Sequence, residues 1–235
     1  MTQLPIAIFL ASSGGVLLVS AATPLPLWYP GPDTTRQGYN FDTVSLTPPP
    51  NVVSNPYGTP LTTITLGTFS DGWQEPGNLP PPAVNDTNGV AYDGAYDLGI
   101  SGTVITQLAF ASTVAAPGTY YRVYFQVYTV AYFGITALPA FNPVALSPTA
   151  LVRTQSFVAN DPYFPGATWQ GVRWTGYFDN VTSNSLTLGI TAPVNNTTIV
   201  DTFEVFTRFE LIPETSSSLL ALGSAVVLMI RRRRI

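Results

Sequence analysis

From Pro60 onward the chain is a series of short runs in which apolar and polar residues alternate, cut apart by Gly, Pro and Asn. Period-two alternation marks a strand with one buried face. The clearest run is 119–133, long enough to be bent or bulged. Further strands are expected at 62–69, with Ile64 and Leu66 on one face, and at 94–98, 101–112, 170–178, 185–191 and 202–211. One or two weaker ones are expected within 144–157. Residues 71–82, 115–118, 180–184 and 193–196 read as loops and turns between them. No run outside the two ends shows helical spacing of apolar residues with good caps. The 19 Gly and 22 Pro are too many for a helical bundle and suit a loop-rich β protein. The expected fold is all-β, an antiparallel β-sandwich, with a jelly roll as its leading form. An immunoglobulin-like sandwich is the alternative, but that fold usually has about 100 residues and this body is longer. No internal repeat points to a propeller or solenoid.

Composition then removes whole classes of chemistry. The chain has no Cys, no His and no Lys. Disulfides, Cys nucleophiles and His general bases are excluded, and so are the Ser-His-Asp and Cys-His constellations. The usual zinc sites fall with them. No catalytic residue is assigned. Without Arg231 to Arg234 and Glu214, five arginines face twelve acids, a net charge of −7. Such a body does not attract nucleic acid, which needs phosphates neutralised by Lys or Arg.

The two ends read as addresses. Residues 4–19 form an apolar run followed by Ser20, Ala21 and Ala22. This is similar to a signal-peptide helix with a small-residue cleavage site, after Ala21 or Ala22. Residues 22–60 are rich in Pro, Thr, Ser and Asn and read as an extended leader, with one edge strand around 37–46. The sandwich is expected over 61–211.

At the other end, Ile212, Pro213 and Glu214 precede Thr215 and three serines. An apolar helix over 219–230 follows, then Arg231, Arg232, Arg233 and Arg234. Its 12 residues are short for a membrane span, which wants about 20. The arginines would stay on the cytoplasmic side. This order resembles the PEP-CTERM sorting signal of Gram-negative bacteria: a Pro-Glu-Pro-like motif, a short transmembrane stretch and an arginine cluster. Pro213 and Glu214 match the motif, and Thr215 stands at its second proline. The resemblance implies an inner-membrane intermediate and processing by exosortase, a membrane protease. The destination it implies is the cell surface or extracellular matrix. It covers residues 212–235 only and does not address the chemistry of the body.

Asp93 to Gly99, the run to Phe110 with Thr106 and Gln107, and the turn at Pro117 and Gly118 leading into 119–130 carry a second resemblance. The order is similar to exported galactose-binding-like jelly rolls. No ligand residue is carried over from it.

Side-chain alternation gives the strand at 119–133 two unlike faces. Tyr121, Val123, Phe125, Val127 and Phe133 make an apolar one. Tyr120, Arg122, Tyr124, Gln126, Tyr128 and Tyr132 make an amphipathic one that could stack on sugar rings of an exopolysaccharide. The plainer account is tyrosine's high strand propensity and cross-strand packing. Trp73, in the 71–75 loop, is a second ligand candidate, or a loop anchor; Trp174 reads as core and Trp169 is open between the two. Asp86, Asn88, Asp93 and Asp97 could supply oxygen ligands to calcium, although no EF-hand spacing is present and such pairs are common turn chemistry. Asp71 and Glu75 are the one carboxylate pair that a glycosidase reading could use. The leading function is a non-catalytic exported protein with a structural or adhesive role. A carbohydrate-binding module is the alternative, and a glycoside hydrolase the second.

Overall fold

The computed structural model describes residues 25–75, 94–132, 135–140, 147–160 and 168–214. The N-terminal stretch expected as a signal peptide, the tail from Thr215 on, and Asp86, Asn88, Asp93 and Phe133 lie outside them. Every regular element among the described residues is a strand. In chain order these are β1 (Thr34–Tyr39), β2 (Val52–Ser54), β3 (Leu61–Thr65), β4 (Gly72–Gln74), β5 (Ala95–Asp97) and β6 (Thr103–Ala109). Then come β7 (Thr119–Tyr132), β8 (Thr136–Ala140), β9 (Thr149–Asn160), β10 (Thr168–Val181), β11 (Ser185–Thr191) and β12 (Ile199–Pro213).

The strands form two antiparallel sheets. The larger runs β2-β1-β12-β7-β10-β9, and β5 also pairs with β12 and with β4. The smaller runs β3-β6-β11-β8. The inner faces share one core. Val123, Phe125 and Val127 of β7, with Phe203 and Val205 of β12, join Val104 and Leu108 of β6 and Leu186, Leu188 and Ile190 of β11 in a single cluster. This is a β-sandwich-like arrangement, held by apolar burial of alternate residues from both sheets. Trp174 is in that core, as its alternation with Val172 and Phe178 predicts.

Several sequence readings need correction. The stretch 22–60 is not a separate leader. β1 lies between β2 and β12, and Tyr39 and Phe41 are fully buried. Its inward residues include Thr35 and Gln37, so its burial alternates while its hydropathy does not. Thr35 Oγ1 lies 2.6 Å from Thr207 Oγ1, and Gln37 Nε2 donates to the Val205 carbonyl at 3.0 Å. Tyr39 Oη reaches Thr106 Oγ1 of the opposite sheet at 3.3 Å. Buried polar groups are tolerable on these terms.

Residues 72–74 are strand rather than loop, because they pair with β5. Leu66 is exposed, because β3 stops at Thr65; Thr62 and Ile64 hold the inward positions. Gly67 follows at a close approach of two backbones that leaves no room for a side chain. A Cβ there would fall 1.9 Å from the Ile100 carbonyl oxygen, while Gly67 N–H donates to Leu98 O at 2.8 Å. β8, with its Pro139, was not expected at 136–140, and β10 runs on to Val181 through a bulge that Asn180 enters at φ 60°. Pro on a sheet edge costs no ladder bond, and Asn accepts that backbone region better than most residues.

Candidate functional site

The outer face of the larger sheet gathers the polar chemistry of the body. Four of its five arginines, Arg36, Arg122, Arg173 and Arg208, project there from β1, β7, β10 and β12, opposite in parity to the core residues. Register then decides what each one meets. Arg208, Tyr124 and Tyr177 are neighbours across β12, β7 and β10. The Arg208 guanidinium sits 5.4 Å from the Tyr124 ring centre, and the Tyr124 and Tyr177 rings are 5.6 Å apart. Arg122 lies 5.1 Å over Tyr177 and donates from Nε to Asp179 Oδ1 at 2.6 Å. That bond, with a second to Tyr124, pushes the Arg122 guanidinium further above its ordinary range. Arg208 also pairs with Glu210, to which Tyr124 Oη donates at 3.3 Å. The order is thus Arg122, Tyr177, Tyr124 and Arg208, two adjacent rings with a cation–π contact at each end.

The predicted tyrosine row is only half open. Tyr120, Arg122 and Tyr124 are partly exposed. Gln126 and Tyr128 are each 1% exposed, and Tyr132 is buried beside Trp169, with ring centres 5.1 Å apart. Gln126 and Tyr128 therefore do not belong to an accessible platform. On the covered side Arg36 pairs with the fully buried Glu204 and stacks 5.5 Å over Phe206, which also meets Tyr29 edge-on at 5.2 Å.

The other candidates are placed as follows. Trp73 is half-buried on β4, packs against the core and donates its indole N–H to Phe41 O at 2.8 Å. It ties β4 to the turn after β1. Asp97 is nearly buried; its Oδ1 accepts from Gly99 N–H at 2.8 Å and its Oδ2 from Asp71 N–H at 3.2 Å. Burial pushes its carboxyl above the usual carboxylate range, against the pull of those two bonds. Its three proposed calcium co-ligands lie outside the described residues. Among the described residues no three His, Cys, Asp or Glu side chains gather as a cation site. Asp71 and Glu75 flank β4, which puts their α-carbons on the order of 13 Å apart at strand rise. Both are exposed.

One cleft was not foreseen. Where β1 begins, opposite Arg208, the preceding turn folds back along the last residues of β12, and Phe209 N–H donates to Asp33 O at 3.2 Å. Trp28, Pro32 and Asp33 form one wall, and Arg208 to Leu211 the other, around a volume of about 570 Å³. The available signal was an aromatic pair, Trp28 and Tyr29, set in a proline-rich turn just before a strand. Comparison with family models, curated proteins and solved structures finds no match to this chain.

Proposed function

We propose that this is a non-catalytic exported protein of a Gram-negative bacterium. It passes through an inner-membrane intermediate and reaches the cell surface or extracellular matrix through its C-terminal tail. There its sandwich acts structurally or in adhesion. The observation that carries this reading is where the described fold finishes. β12 ends at Pro213, Glu214 is exposed, and its N–H donates to Gly118 O at 2.8 Å. Pro213 and Glu214 are exposed at the margin of the sheet, the kind of position a membrane protease of the exosortase type would need. The test is the intact mass of the protein released from the cell surface. It should lack the residues after about Ser218, and a mass that retains all four terminal arginines would favour a permanent anchor.

The finer fold we propose is a jelly roll. Its support is nested pairing: β1 with β12, β6 with β11, and β7 with β10, early strands meeting late ones in reverse order. A long hairpin wound around one core gives that pattern. Carbohydrate binding is the second reading. It is favoured by the half-open stack of Tyr124, Tyr177 and the two arginines, an amphipathic surface with ring faces and hydrogen-bonding groups side by side.

A further inference from the structure

We infer that the cleft between the turn 28–33 and the end of β12 is a subsite for a neutral pyranose ring of a polysaccharide. The inference deepens the carbohydrate reading by moving its centre from the tyrosine row to Trp28. It does not depend on the sorting reading, since the cleft has the same walls whether or not the tail is cut.

The cleft has the size of a ligand site: about 570 Å³, within the usual range of roughly 300–1,000 Å³. Its lining is amphipathic in the way a sugar requires. Trp28, Pro32 and Leu211 offer flat or apolar surface for the C–H face of a ring. Asp33, Arg208 and Glu210 bring carboxylate acceptors and guanidinium donors to the same space, suited to the hydroxyls on the ring's edge. These groups are partly fixed before any ligand arrives. Tyr57 Oη donates to Asp33 at 3.5 Å, and Glu210 is held by Arg208 and Tyr124. Fixed partners lower the entropy cost of binding.

Charge narrows the class. The lining has two carboxylates against one guanidinium, and that guanidinium is already paired with Glu210. A uronate would meet net negative charge, so the expected ring is uncharged. The stack on Arg208 and Tyr124 opens from the same wall, which gives a chain of sugars a path onto the outer face.

The experiment is isothermal titration of the full-length protein with neutral gluco-, galacto- and manno-tetrasaccharides, and with a galacturonate tetrasaccharide as the charged counterpart. Saturable binding of at least one neutral oligosaccharide is expected, with the galacturonate weaker. Trp28→Ala should weaken it roughly tenfold or more, and Trp28→Phe should recover most of the loss. Asp33→Asn keeps a residue type that tolerates the local backbone, φ 58°, and should also weaken binding roughly tenfold. It serves where Trp28→Ala fails to fold. The inference is overturned if no neutral series binds in the millimolar range, or if the galacturonate binds most tightly. It is also overturned if Trp28→Ala and Asp33→Asn leave affinity within twofold. Loss on Tyr120→Ala with no loss on Trp28→Ala would place the sugar on the tyrosine row and sink the cleft alone.

Discussion

On the outer face of the larger sheet, Arg36 meets Glu204 under cover, whereas Arg122 meets Asp179 in the open. The side chains of the first pair are 20% and 0% exposed, and those of the second 34% and 27%. Both arginines also lie over an aromatic ring, at 5.5 and 5.1 Å. The contacts are alike, so the difference lies in water. A buried carboxylate has lost its hydration and depends on its partner; an exposed one can fall back on solvent. One half of the face is therefore built for cohesion, and the other is left for contact with something outside.

Three variants test that division, measured as urea unfolding midpoints. Arg36→Ala has the largest expected effect, a loss of about 3–5 kcal/mol, because it removes the cation paired with the buried Glu204 carboxylate. A loss below about 1 kcal/mol would mean that Glu204 is effectively solvated. Replacing the pair together, Arg36→Met with Glu204→Leu, should give a protein as stable as the parent or up to about 4 kcal/mol more stable. A double variant as weak as Arg36→Ala would trace the effect to lost packing instead of a lone charge. Arg122→Ala should shift the midpoint far less than Arg36→Ala does, and less still as salt rises, since exposed pairs are weak and screened. An effect as large as that of Arg36→Ala would erase the contrast between the two halves.

Most of the sandwich was legible because its strands bury alternate apolar residues. β7, β10, β11 and β12 announce themselves in this way, and Trp174 falls in the core as its neighbours imply. β1 did not, because its inward side chains Thr35 and Gln37 are polar and are satisfied by Thr207 and by the Val205 carbonyl. Only the partner strand, about 170 residues away, makes that burial favourable, and no local pattern encodes it. β2 and β4 have three residues each, too few for a period to show. The polar side of β7 was identified as amphipathic from its spacing. That Gln126 and Tyr128 are covered while Tyr124 is open depends on what lies across the sheet. The Trp28 cleft was illegible for a related reason: its two walls come from opposite ends of the folded chain.

The position of β12 has a consequence for how such a chain could be exported. It is the last of the described strands, yet it sits in the interior of the larger sheet, with β1 on one side and β7 on the other. Until it arrives, neither neighbour has its central partner, and the buried Glu204 has not yet met Arg36. Pairings this distant in sequence form late, because the whole intervening loop must close. A chain threaded amino-end first through a membrane would thus lack a finished larger sheet until β12 had crossed. The same strand that locks the fold also times it.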